Sequence, residues 1–306
     1  MSAPRRPVLR WHGGKWRLAP WIISVFPPHR IYVEPFGGAA SVLLRKPRSY
    51  TEIYNDLDEW VVNLFRILRD PVAAGRLIAL LRLTPFARAE FEAAQETCDA
   101  PVEFARRLIV RTFMGFGSNA HSESPLSRAG FRGIVRGVNR GFRSTGFRAN
   151  SNRSGTSPAH DWANYPAALA GIVERLQGVV IEQAEAMTVM ARNDTAETLH
   201  YVDPPYLPET RAPSGKKWQR HRMYRHELDV EGHARLLAFL RTLKGHVVLS
   251  GYPSALYDQA LDGWARLERA ALAEGARKRI EVLWLNPRAA ERRQDLFAGR
   301  RTGMVA

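Results

Sequence analysis

The chain has 306 residues, 45% hydrophobic and 25% charged, the profile of a globular protein with length for one large domain or two modest ones. Forty-five Lys and Arg against thirty Asp and Glu give a net charge of +15, which points to a polyanionic partner. No apolar run approaches the ~18 residues of a membrane span. The single Cys98 excludes an intramolecular disulfide and a cysteine-rich metal site, and fits a reducing, cytoplasmic setting.

Ile31, Tyr32 and Val33 favour a strand, Gly37-Gly38 breaks it, and Ala39 to Leu44 begin a helical run. Residues 50–60 give a second short strand ending at Asn55-Asp56. A strand, a glycine turn, a helix and a second strand ending in an acid resemble the first half of a nucleotide-binding α/β unit. The interval from Gly38 to Asp56 is close to the ~20 residues expected between a glycine turn and a ribose-binding acid. A full G-x-G-x-x-G is not present.

From Val61 to about Gly117, apolar residues recur three and four apart, which predicts helices. Thr84 or Pro85 begins one and Asp99-Ala100-Pro101 another. Composition then shifts. Residues 124–160 hold seven arginines, six glycines and no acid or lysine. Arg128, Arg132, Arg136 and Arg140 are spaced by four and share a face if that part is helical. Together with Arg143 and Arg148 they are the candidate nucleic-acid contacts. Phe131, Phe142 and Phe147 argue against a purely solvated tether, and arginine mixed with aromatic and hydroxyl residues can meet both phosphates and bases. Regular α/β patterning returns after Trp162. A helix in YPAALAGIVERL precedes strands in GVVIEQ and LHYVDPPY. A helix in DVEGHARLLAFLRTLKG precedes strands in HVVLSGYPS and RIEVLWLNP. An α/β scaffold is thus split by a helical, arginine-rich insert.

Asp203-Pro204-Pro205-Tyr206 carries the sharpest chemical signal. Two prolines cannot continue a central strand or a helix interior, so they mark a strand end and a stiff turn. A carboxylate, a carbonyl and an aromatic ring then stand at a strand's C-terminal edge, where ligands bind in open α/β sheets. Asp203 and the Pro204 carbonyl can both accept from one amino group, and Tyr206 can stack on a planar base. An amine held by two acceptors directs its lone pair at an electrophile, which suits methyl transfer to nitrogen. A structural turn capped by an acid has the same sequence.

Taken in order, these segments resemble the Dam-type adenine-N6 DNA methyltransferases, especially their phage and prophage members. WHGGKWRL (11–18) resembles the amino-terminal cofactor motif and VEPFGGAAS (33–41) the glycine motif. YNDLDEWVVNLF (54–65) resembles the segment with the ribose-binding acid, and VDPPY (202–206) the catalytic motif. VVLSGYPS (247–254) and RIEVLWLNP (279–287) resemble the later strands. The resemblance covers most of the chain. It implies a Rossmann-like α/β fold with a mixed, mostly parallel sheet, the catalytic domain being 1–65 and 162–306 and the target-recognition domain 66–161.

The same resemblance implies S-adenosylmethionine as methyl donor, double-stranded DNA as partner and an adenine swung out of the stack. It assigns catalysis to Asp203, Pro204, Pro205 and Tyr206, and the cofactor site to Trp11, Lys15, Phe36, Gly38, Asp56 and Asp203. Physically, Asp56 can accept from both ribose hydroxyls, Lys15 can pair with a carboxylate, and Gly38 lets backbone approach a ligand. One departure stands out. Many members carry F-x-G-x-G, whereas here Ala40 takes the second glycine's place, which strains the loop only if its φ is positive. The basic-aromatic run 215–226 reads as a loop ordered by DNA beside the site. No obligate protein partner is expected, and His121, His160, His221 and His226 read as surface or polar-contact residues and not as a metal set. Cys98, between Thr97 and Asp99, disfavours cytosine-C5 chemistry, which uses a Pro-Cys nucleophile. Cytosine-N4 methylation, more often served by Ser-Pro-Pro-Tyr, and a catalytically inactive DNA-binding protein on this scaffold are the alternatives.

Overall fold

A computed structural model describes residues 4–115, 147, 157–211, 224–273 and 277–291. Arg128, Arg132, Arg136, Arg140, Arg143 and Arg148, and all but the last three residues of the 215–226 run, lie outside the described residues.

Seven strands form one sheet: β1 (Ile31–Glu34), β2 (Thr51–Asn55), β3 (Val179–Glu182), β4 (Thr198–Val202), β5 (His246–Gly251), β6 (Ala265–Ala273) and β7 (Arg277–Leu285). Their order is β3-β2-β1-β4-β5-β7-β6. The first five pair in parallel, and β7 runs antiparallel to both β5 and β6. Every residue of β4 and β5 is buried, as expected of central strands covered on both faces. The sheet is wound outward in both directions from the β1–β4 pair. A crevice therefore opens at the C-terminal ends of these two strands.

The described helices are α1 (Ala19–Ile23), α2 (Glu59–Arg69), α3 (Pro71–Leu83), α4 (Arg88–Ala93), α5 (Pro101–Met114), α6 (Pro158–Ala163), α7 (Tyr165–Leu176), α8 (Ala186–Arg192), α9 (Pro208–Arg211), α10 (Val230–Leu240) and α11 (Ala255–Ala260). None is long and apolar enough to cross a membrane. Local chemistry sets their starts. Asp58 accepts from the Trp60 N–H at the head of α2. Asp70 accepts from the Val72 and Ala73 N–H groups at α3, where Pro71 occupies the first turn.

Strand alternation sorts the core into two layers. Tyr32, Tyr54 and Tyr201 face one cluster, and their neighbours Val33, Ile53 and Val202 face the other. The second layer is closed by α8, α10 and α11 through Val189, Leu236 and Tyr257. The first is closed by α2 and α7, and also by Leu77, Leu81, Phe91 and Leu108 of α3, α4 and α5. The helical start of the expected recognition segment, 66–115, thus shares a core with the sheet.

Three details differ from the sequence reading. Ala39–Leu44 form turns and no regular helix, because the Leu43 N–H donates to Glu34 Oε2 at 3.0 Å and leaves the helical ladder. Thr84 caps the end of α3, and α4 begins only at Arg88. Strand β6 was not foreseen: its Ala, Leu, Arg and Glu are helix formers, but nine register pairs with β7 override that preference.

Candidate active site

The crevice is a cleft, open to solvent, at the C-terminal ends of β1, β2 and β4. Trp11, Lys15, Phe36, Gly38, Asp56 and Asp203 all line it, as do Pro204 and Pro205. The structure thus brings together all six residues expected at the cofactor site. They come from separate stretches of chain.

The glycine turn after β1 is held from below and from above. Gly37 donates to the Asn55 carbonyl at 2.8 Å, and a Cβ on Gly37 would stand 2.1 Å from the Tyr54 ring. Tyr54 donates its hydroxyl proton to the Gly38 carbonyl at 2.7 Å. Gly38 has φ +46°, and a Cβ there would stand 2.9 Å from the Trp11 indole nitrogen. This glycine is needed for its left-handed backbone and for the approach of Trp11. Ala40 also has positive φ, +51°, so the alanine in the second glycine's place does sit in the strained region.

Asp56 follows β2 directly. Its Oδ2 accepts from the Gly38 N–H and its Oδ1 from the Asp58 N–H, both at 2.8 Å. The interval noticed in the sequence is therefore a hydrogen bond across the cleft floor. Burial pushes the Asp56 carboxyl up to about 6, with the two N–H donors opposing that rise.

Lys15 is buried at the centre of the site. Its ammonium donates to the Gly13 carbonyl at 2.9 Å and stands 2.9 Å from Asp203 Oδ2. Burial works against its charge, but Asp203 and then Glu281 outweigh burial and hold the proton more firmly than on a free lysine. Asp203 is pushed up to about 6 by burial, with Lys15 opposing and Glu281 adding to the rise. Asp203 Oδ1 and the Tyr201 hydroxyl are buried without a hydrogen-bond partner among the described residues. Both residues line the cleft.

Tyr206 lies outside the cleft lining and is 7% exposed. The Lys15 ammonium stands 4.6 Å from its ring centroid, and Tyr252 meets it edge-on at 4.7 Å. Its hydroxyl donates to Glu281 Oε1 and lies 3.0 Å from Ser250 Oγ. One side of the ring expected to stack on a base is thus covered by a cation, and its polar end is anchored inward.

Sequence reasoning missed Glu34, Ser250 and Glu281. Glu34 ends β1, lines the cleft, and accepts from the Tyr32 hydroxyl at 2.7 Å; burial pushes its carboxyl up to about 8. An acid directly before a proline and the glycine turn was a visible signal for it. Glu281 occupies a strand position whose neighbours two and four residues on, Leu283 and Leu285, are core residues, and that break in alternation was its only signal. Tyr224, Arg225 and His226 end the 215–226 run and form part of the lining. Arg225 is paired with Glu59 at 3.1 Å and lies over the Trp60 ring.

No curated protein matches the chain significantly. The family model of D12 class N6 adenine-specific DNA methyltransferases matches residues 11–270. That span opens on the tryptophan that packs over Gly38, runs through both strands flanking the crevice and ends within β6. The chain belongs to the D12 class N6 adenine-specific DNA methyltransferase family.

Proposed function

We propose that this cleft performs the family's reaction through Asp203 and the Pro204 carbonyl, which grip the N6 amine of an adenine everted from double-stranded DNA. The observation that supports this reading is that Asp203, Pro204 and Pro205 line the cleft together at the end of β4, with the Lys15 ammonium 2.9 Å from Asp203 Oδ2. An exocyclic amine carries two N–H donors, one for each of the two acceptors.

S-adenosylmethionine, when bound, supplies a methyl group made electrophilic by the sulfonium. The residues assigned to holding it are Trp11, Lys15, Phe36, Gly38, Asp56 and Asp203. Asp56 spends one acceptor site of each oxygen on the backbone, and a carboxylate has about four in all. Two remain for hydroxyls. Trp11 and Phe36 supply apolar walls. Lys15 keeps Asp203 ionised, so that both acceptors face the amine and orient its lone pair. Orientation supplies most of the rate enhancement in such a site. Tyr206 supports Lys15 through its ring, and Pro204 and Pro205 stiffen the turn that sets these distances. Arg128, Arg132, Arg136, Arg140, Arg143 and Arg148 are assigned to DNA contact.

The test is transfer of labelled methyl from S-adenosylmethionine to DNA, followed by digestion. N6-methyladenine is the expected product; N4-methylcytosine alone would overturn the adenine assignment. Asp203→Ala is expected to lower turnover by about 10²–10³-fold, the scale for removing a group that hydrogen-bonds the reacting centre, while DNA binding is largely kept. Near-normal turnover would remove Asp203 from this role.

A further inference from the structure

We infer that Glu281, on the antiparallel strand β7, is a positioning residue for methyl transfer, fixing Tyr206 and holding the Lys15 ammonium against Asp203. This rests on the role given to Asp203 above.

Register explains how so distant a residue reaches the site. The last β5–β7 pair is Gly251 with Val282. Glu281 therefore stands one position past the end of β5, at the edge where β1 and β4 open into the cleft. Alternation puts it on the face of Leu283 and Leu285, where the core would take an apolar side chain. Glu281 is instead a carboxylate, 3% exposed. A buried carboxylate is costly unless it is paired and hydrogen-bonded, and its partners are informative.

Three groups converge on a single oxygen, Oε1. The Tyr206 hydroxyl donates to it, the Ser250 hydroxyl donates at 3.0 Å, and the Lys15 ammonium lies at 3.7 Å. Tyr206 and Ser250 are also 3.0 Å apart, which closes a triangle. The triangle fixes the ring by its polar end, and the ring face carries Lys15 at 4.6 Å. Lys15 in turn holds Asp203 Oδ2 at 2.9 Å. Glu281 thus acts on the reacting end of the site by two routes, through the Tyr206 ring and through the shared cation.

The charge arrangement gives a readout that mere packing would not move. Asp203 is surrounded by Lys15 from the amino-terminal segment, Glu281 from β7, Tyr206 from the turn, Tyr201 from β4, Glu34 from β1 and Tyr252 just past β5. Glu281 raises the proton affinity of Asp203. Removing that charge while keeping the shape moves Asp203 ionisation to lower pH.

Full-length Glu281→Gln, Tyr206→Phe, the double variant and Asp203→Ala are compared for folding by thermal unfolding and for kcat and KM against pH. Glu281→Gln is expected to lower kcat about tenfold, the scale of a slight misplacement, with KM for DNA little changed. The acid limb of its kcat profile should shift to lower pH. Adding Tyr206→Phe to it should cost less than the two single effects combined, because the two groups act as one unit. Unchanged kcat, an unshifted acid limb or fully additive effects would overturn the inference. If Glu281→Gln does not fold, Ser250→Ala and Tyr206→Phe open the triangle from its other corners and must each lower kcat; normal kcat in both overturns it. Asp203→Ala separates the two claims. Its loss of turnover beside a normal Glu281→Gln removes only the role of Glu281, whereas its retention of turnover removes the underlying reading as well.

Discussion

Ala40 shows why a departure from a family pattern can be tolerated. Its left-handed φ of +51° costs ~1–2 kcal/mol for an L residue. Its methyl is fully buried, which returns about 0.8 kcal/mol, and alanine restricts the unfolded chain relative to glycine by ~0.4–1 kcal/mol. These contributions nearly cancel. Ala40→Gly is expected to change stability by less than about 1 kcal/mol, read from the urea midpoint at constant slope. Gly38→Ala has no such offset, since its Cβ would press on Trp11. It should destabilise the fold by at least ~1 kcal/mol; the reverse ranking of the two variants would contradict the turn geometry.

Glu34 gives the pH counterpart at the same scale. Burial pushes its folded carboxyl up to about 8 from the ordinary 4.5. Between those values the folded chain holds a proton that the unfolded chain has released, so this group's contribution to stability declines as pH rises from 4.5 to 8. Glu34→Gln keeps an acceptor for Tyr32 and Leu43 without the charge. The variant should gain in melting temperature relative to the parent between about pH 5 and about pH 9, and a constant difference would contradict the assignment. Asp203, Lys15 and Asp56 were legible in the sequence because each sits in a short motif. Ser250 and Glu281 were not, because their meaning comes from pairing across 31 positions of chain.

At the scale of elements, the base of the sheet is tied by charge. Glu52 on β2 accepts from Arg175 of α7 at 2.6 Å and from Lys46 at 2.6 Å, and all three are buried. Burial works against the Glu52 charge, but Arg175 and Lys46 outweigh it and hold the carboxyl below the usual range. Glu52→Ala strands two buried cations and should cost about 3–5 kcal/mol, measured by denaturant unfolding; a cost below ~1 kcal/mol would show that the cations find other partners. Strands β1 to β5 and β7 could be read from apolar runs. Strand β6 could not, because its alternation is carried by Ala, Arg and Glu, and only a partner strand makes it extended. The helical run at Ala39–Leu44 failed for the opposite reason, since a distant side chain, Glu34, captured one of its N–H groups.

At the scale of the whole molecule, this DNA adenine-N6 methyltransferase combines a net charge of +15 with an arginine-rich stretch at 124–160. Every phosphate that a variant leaves unneutralised should reduce the salt slope of binding by about 0.9. Arg136→Ala with Arg140→Ala is therefore expected to weaken DNA binding and flatten that slope by up to about 2, measured by titration at several salt concentrations. An unchanged slope would take both residues off the DNA-binding surface. Whole-chain composition raised this expectation before any motif did, but composition cannot say which groove an arginine enters.

The cleft runs against the sign of the molecule around it. Besides Glu34, which holds its proton, Asp56, Asp58, Asp203 and Glu227 line it, against Lys15 and Arg225. An acid-rich hollow in a cationic body works as an electrostatic sieve. Such a lining disfavours a phosphate in the interior, so the sugar-phosphate chain is expected to stay at the mouth while a neutral base, and the sulfonium of a bound donor, meet no such opposition.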